Sequence, residues 1–191
     1  MNDQSIKDDI GYFDYIAVKI FHNTMPFWRK LGITPNMLTT FCIFSSILAL
    51  YFLYLRNFFG VILFIILRMY FDYVDGMFAR KYKMTSKFGD KYDHIGDVLF
   101  FIGYIIIIYI GTPNIKTKVI YFSILSIFLI SFGINMGCIE KNENNDKKDG
   151  TNDSISYLKH FRIAPKIFKY TDNTVVYIVM TVIAYFYTRK F

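Results

Sequence analysis

Apolar residues along this chain gather into long, nearly unbroken runs, not into the short alternations of a half-buried sheet. Crossing about 30 Å of hydrocarbon at about 1.5 Å per residue takes ~20 residues of helix. Four runs approach that length: Asn36–Arg56, Phe58 to about Ala79, Tyr92–Ile110 and Thr117–Ile139. A fifth, Asn173–Thr188, is short and spans only with tilt, local thinning or snorkelling of Arg189 and Lys190. The pattern predicts an all-α, polytopic membrane bundle of five helices, forming one membrane-embedded domain over residues 1–191.

The segments between the runs carry their own patterns. Ile6, Ile10, Phe13, Ala17, Ile20 and Thr24 recur at three- and four-residue steps, with Lys7, Asp14 and Lys19 off that face. Residues 1–33 therefore read as an amphipathic helix on the cytoplasmic membrane surface, with Phe27 and Trp28 at headgroup depth. A loosely attached tail is the alternative. The polar, acidic start lacks the basic n-region of a signal peptide. Residues 140–154, rich in Asn, Asp, Lys and Glu, predict a flexible cytoplasmic loop.

Composition agrees with a membrane protein. The 191 residues are 54% hydrophobic and 19% charged, against roughly 25% charged in a soluble domain. The net charge of +7 is informative through its placement. With the N-terminus in the cytosol, sixteen of the 22 Lys and Arg residues fall on inner segments and five on outer ones, while Arg68 lies within a span. The charge follows membrane topology and forms no aromatic-interleaved patch, so no nucleic-acid partner is expected. Lys159, Arg162, Lys166 and Lys169 serve that topology, or bind anionic lipid heads or a phosphorylated acceptor. Cys42 and Cys138 both lie in apolar runs and indicate neither a disulfide framework nor a cysteine metal site.

The chemistry is concentrated between Asp72 and Asp97. Asp72, Asp75, Gly76 and Ala79 stand at i, i+3, i+4 and i+7 on one helix face, and Gly89, Asp93 and Asp97 at i, i+4 and i+8 on the next. A short basic loop joins the two helices, so the faces oppose each other. Converging carboxylates repel unless cations neutralise them. Oxygen ligands without Cys or clustered His select Mg²⁺ or Mn²⁺, and a pair of such ions forms a clamp for phosphoryl displacement. Gly76, Ala79 and Gly89 leave room for a large ligand, or else permit close helix packing. The acids alternatively pair with Arg68, Arg80 and Lys81.

Asp72-x-x-Asp75-Gly76-x-x-Ala79-Arg80, eight residues, then Gly89-x-x-x-Asp93-x-x-x-Asp97 resembles the complete signature of the CDP-alcohol phosphatidyltransferases (class I). Pro35-Asn36-x-x-Thr39 is similar to that family's Pro-Asn element, although Thr34 and Pro35 also read simply as N-cap and first-turn residues. The family typically has six spans, which widens the expectation to five to six transmembrane helices.

The resemblance implies that Asp72, Asp75 and Asp93 ligate two Mg²⁺ or Mn²⁺ ions, and that Asp97 is the general base and also a ligand. It implies that Gly76, Ala79, Arg80, Gly89, Asn36 and Thr39 bind the CDP part of the substrate. A phosphatidyl or substituted phosphate group would pass from a CDP-alcohol to an acceptor alcohol, with release of CMP, as in phospholipid biosynthesis. The donor would be CDP-diacylglycerol, or CDP-choline or CDP-ethanolamine, and the protein would be a homodimer among membrane lipids. His94, giving Asp93-His94-x-x-Asp97, looks like the choline and ethanolamine branch, or pairs locally at the interface. A cation or proton transporter with intramembrane aspartates, and a catalytically silent scaffold of the same fold, are the competing readings.

Overall fold

The computed structural model describes residues 12–146 and 173–189, and side chains over 15–130 and 173–189. Ile6, Lys7, Ile10, the remainder of the predicted loop after 146, and Lys159, Arg162, Lys166 and Lys169 lie outside the described residues. The described elements are helices: α1 Tyr12–Phe21, a 3₁₀ turn His22–Thr24, α2 Met25–Lys30, α3 Pro35–Tyr54, α4 Phe58–Lys81, α5 Lys87–Gly111, α6 Ile115–Asp146 and α7 Asn173–Arg189. Packing separates two units, Ala17–Tyr121 with Met180–Phe191, and Met1–Ile16 with Phe122–Val179. Every candidate site residue belongs to the first unit.

Three of the helix starts are written in the local sequence. Thr34 Oγ1 accepts from Met37 N at 3.4 Å ahead of Pro35, Asn57 Oδ1 accepts from Gly60 N at 3.1 Å, and Ser86 Oγ accepts from Gly89 N at 3.0 Å. Each cap stops the preceding connection and sets the phase of the helix that follows. The α3–α4 turn closes through Arg56 in the left-handed region, φ 57°. Its guanidinium donates to Gly111 O at 2.8 Å and lies 4.8 Å from the centre of the Tyr187 ring, which ties this turn to the far ends of α5 and α7.

α3 packs against both α4 and α5. Its contact with α5 runs through a register that the hydrophobic pattern does not reveal. A Cβ on Gly89, Gly96 or Gly103 of α5 would meet Asn36 at 2.8 Å, Ile43 at 2.9 Å and Leu50 at 2.6 Å respectively. Both sets are spaced by seven residues and advance together. The helices therefore run parallel, with side chains of α3 seated over the glycines of α5. At the other side of α3, Met25, Leu38, Val74, Met77 and Phe78 form a buried cluster flanked by Trp28 and Tyr70, whose Nε1–H and hydroxyl oxygen join at 2.7 Å.

α3 and α5 are long and apolar enough to cross a membrane. Only 17% of the most apolar stretch of α5 is buried, and Ile95, Leu99, Ile102, Ile106 and Ile110 are exposed. An apolar surface that continuous is incompatible with water and suits lipid. α4 has span length but carries Arg68, Asp72 and Asp75 within it, and the 17 residues of α7 are short. Helices underlie all five predicted runs, and among the described residues two of them meet the requirements for a span on length and apolarity alone.

Along the N-terminal helix Ala17 is buried and Ile20 is 62% exposed, while Val18, Phe21 and Met25 pack in the cluster of α2, α3 and α4. The 3₁₀ turn, where the Thr24 hydroxyl donates to Phe21 O at 2.7 Å, shifts the phase needed to deliver Met25 inward. One expectation is corrected. The loop expected from Glu140 begins later, because α6 continues through Asp146. Lys and Glu are good helix formers, and extending a helix costs far less than starting one.

The α3–α5 register predicts a compensating pair. Gly96→Val should destabilise the detergent-solubilised protein by about 1–3 kcal/mol, because β-branched Ile43 cannot swing clear. Adding Ile43→Ala should recover most of the lost melting temperature, and a purely additive double mutant would contradict this packing.

Candidate active site

Three helices bring the motif residues together at one end of the unit. α4 contributes its last turns, and α3 and α5 contribute their first. Asp72, Asp93 and Asp97 each place a carboxylate oxygen within 4.8 Å of the other two. All three are partly exposed, which leaves them accessible to a ligand. Mutual repulsion among them is relieved by a cation, and a donor set of oxygens alone suits a hard divalent ion. The residues present therefore fit Mg²⁺ or Mn²⁺.

Asp75 is held differently. Its side chain is 5% exposed, and Thr39 Oγ1 donates to its Oδ2 at 2.6 Å, from α3 to α4. It stands outside the group of three oxygens. Thr39, expected on the nucleotide, thus directs its hydroxyl proton to a carboxylate, and lies 3.2 Å from Pro35 O as well. A buried carboxylate without a donor is costly, so this bond fixes where Asp75 points.

Asp97 is tied to the bundle interior. Arg68, 0% exposed, donates from Nη2 to Asp97 Oδ1, and its guanidinium carbon sits 4.3 Å from the centre of the Phe100 ring. Pairing of an acid with a basic neighbour is realised at this position. Arg80 and Lys81 are exposed, and Lys81 Nζ is 3.4 Å from His22 Nε2. An unpaired charge at membrane depth costs about 2.5–3.5 kcal/mol on insertion scales, and the ion pair offsets part of that cost for both partners.

Beside Asp75 and Asp93 lies a cavity of about 190 Å³. Asn36, Thr39, Gly76, Ala79, Arg80 and Gly89 line it, together with Pro35, Met84, Thr85, Ser86 and Asp90. Asp72 and Asp97 do not line it. Two helix N-termini and Arg80 supply positive potential at its wall, and Asp75, Asp90 and Asp93 supply negative charge, so an anionic ligand needs a cation beside the acids. The Arg80 guanidinium reaches back over Gly76, where a Cβ would meet Nη1 at 3.5 Å.

The two motif glycines differ in their surroundings. A Cβ on Gly76 would be in ordinary van der Waals contact with the Arg80 guanidinium, so this face is covered by that side chain and a methyl group would be accommodated beneath it. A Cβ on Gly89 would lie 2.8 Å from Asn36 Oδ1 and 3.1 Å from Ser86 Oγ, so a side chain there would displace the ends of both. His94 is exposed and lines no part of the cavity. Sequence reasoning missed Met84, Thr85, Ser86 and Asp90. Asp90 stands one turn before Asp93, and the capping position of Ser86 marks the helix start, so both had a readable signal; Met84 and Thr85 had none.

Residues 32–188 match the sequence profile of the CDP-alcohol phosphatidyltransferases. The chain belongs to the CDP-alcohol phosphatidyltransferase family. The match runs past the motif to the end of α7, so it includes the C-terminal third, where the motif residues themselves offer no support. That family is a membrane-associated one whose enzymes act on a CDP-alcohol and an alcohol acceptor and generally depend on divalent metal. An uncharacterized protein of Aquifex aeolicus (strain VF5) is 34% identical over 71 residues, 37% of this chain and 36% of that protein. The aligned part spans about a third of that relative's length. No solved structure matches the chain.

The Thr39–Asp75 bond predicts a stability effect separable from turnover. Thr39→Val preserves shape but removes the hydroxyl donor of the buried carboxylate, leaving it the backbone N–H of Gly76, and should lower stability by about 1–3 kcal/mol. Thr39→Ser should melt close to wild type in the same thermal scan. Equal melting of Thr39→Val and wild type would show the bond to be energetically idle.

Proposed function

We propose that this protein is a multi-pass membrane phosphotransferase that moves a phosphatidyl or substituted phosphate group from a CDP-alcohol to a second alcohol and releases CMP. The observation that carries the reading is the convergence of Asp72, Asp93 and Asp97 beside a cavity lined by Gly76, Ala79 and Arg80. Asp72, Asp93 and Asp97 would hold Mg²⁺ or Mn²⁺, with Asp75 completing the set for two ions. When bound, such ions supply charge neutralisation on the diphosphate.

The chain's own residues do the rest. The cavity wall formed by the small residues Gly76 and Ala79 accepts the cytidine diphosphate, with Asn36 at the start of α3 beside it. Arg80 pairs with a phosphate oxygen, and the first turns of α3 and α5 add positive dipole ends at the same wall. Asp97 takes the proton of the acceptor hydroxyl. The acceptor oxygen then bonds to the β-phosphorus, the bond from that phosphorus to the bridging oxygen breaks, and CMP leaves with the electron pair.

Topology is part of the proposal. Arg29, Lys30, Arg80, Lys81, Lys83, Lys87 and Lys91 fall on α2, the end of α4, the following connection and the start of α5, at the end that holds the site. Basic residues gather on the cytoplasmic side, so the site faces the cytosol.

Purified protein in detergent, supplied with a panel of CDP-alcohols and acceptor alcohols, should release CMP with Mg²⁺ or Mn²⁺ and stop on chelation. Asp97→Asn should lower turnover by about 10²–10⁴-fold, the usual range for loss of a general base. Absence of CMP with every donor would overturn the proposal. The donor and acceptor that support turnover identify the lipid product.

A further inference from the structure

Arg68 lies outside the family motif, one helical turn before Asp72, and it is the largest fully buried side chain in the described structure. A guanidinium at membrane depth is retained only where it does something. Three contacts locate that role. Its Nη2 donates to Oδ1 of Asp97, its plane rests against Phe100 three residues further along α5, and its backbone carbonyl receives Cys42 Sγ from α3 at 3.6 Å. All three helices of the site thus converge on one residue. The aromatic contact and the burial hold the guanidinium still, and a planar fork held still orients the carboxylate it meets more narrowly than a flexible ammonium can.

We propose that Arg68 is a positioning residue for Asp97. By engaging Oδ1 it sets the rotation of the carboxylate, so that Oδ2 is the oxygen presented to the cation held with Asp72 and Asp93 and to the acceptor hydroxyl. This rests on the function proposed above for Asp97. A residue that acts only as a counter-charge makes the opposite forecast for metal binding. Removing a nearby positive charge should tighten cation binding, whereas removing a positioning contact should loosen it.

The test uses purified full-length protein in detergent with two readouts. Titration with Mn²⁺ alone, followed by electron paramagnetic resonance of the free ion, reports metal affinity without turnover. CMP release reports kcat and KM per folded molecule, and thermal unfolding gives the folded fraction. Arg68→Met should weaken Mn²⁺ binding and lower kcat by about 10–100-fold with little change in KM for the CDP-alcohol. Arg68→Lys should recover part of both losses. Phe100→Leu, which keeps the ion pair but removes its backing, should show the same pattern at smaller size and serves if Arg68→Met does not fold. In an Asp97→Asn background, Arg68→Met should add little further loss, because the two act through one carboxylate.

Mn²⁺ binding in Arg68→Met as tight as wild type or tighter, or a full multiplicative loss on top of Asp97→Asn, would overturn the role of Arg68. A wild-type protein that releases no CMP would instead overturn the proposed reaction, and the Mn²⁺ titration would still judge Arg68 by itself.

Discussion

Buried charged side chains on largely apolar helices have to find one another, and the pairing of Arg68 with Asp97 is where this bundle meets that demand. An isolated guanidinium or carboxylate at that depth would oppose folding of the helix that carries it. Brought together across α4 and α5, they hold the two helices in one relative rotation. That rotation decides where Asp72 and Asp93 point, because each lies one turn along the same face from a member of the pair, Asp72 from Arg68 and Asp93 from Asp97. The acid centre therefore depends on an arginine that its signature does not contain.

Close approach of the helices is the second condition, and α3 supplies the template. Asn36, Ile43 and Leu50 rest over Gly89, Gly96 and Gly103, so α3 and α5 share a parallel register of two turns per step. With no hydrophobic drive between helices in lipid, contact area and backbone proximity have to provide the attraction. The first pair in this row sits in the cavity wall. Packing of the span and shaping of the site are accordingly one continuous feature, and Gly89 belongs to both.

The four motif acids divide by environment. Asp72, Asp93 and Asp97 converge and stay reachable, while Asp75 is buried and held by Thr39. A carboxylate locked by a short hydroxyl contact has little freedom to reorient, which suits a fixed side of a metal site more than a proton acceptor. Asp97, partly exposed and braced from behind, has the access that proton transfer needs. Two environments thus arise from one residue type through burial and partners, and the proposed division of roles rests on them.

Much of this was legible in the primary structure. Long apolar runs implied helices at the five segments where helices occur, because backbone groups in hydrocarbon must be satisfied within the segment. The i, i+3, i+4 and i+4, i+8 spacings put the acids on two faces, since helical periodicity is local, and the signature they form was sufficient to indicate the family. Other features depend on distant parts of the chain meeting, and no local pattern encodes that. The partner of Arg68, the bond from Thr39 to Asp75, the guanidinium of Arg80 over Gly76 and the contact of the Phe21 and Tyr70 rings are all of this kind. Spacing tells which residues share a face. Which face meets which, and which acid is braced or left reachable, is set by the packing of α3, α4 and α5 together.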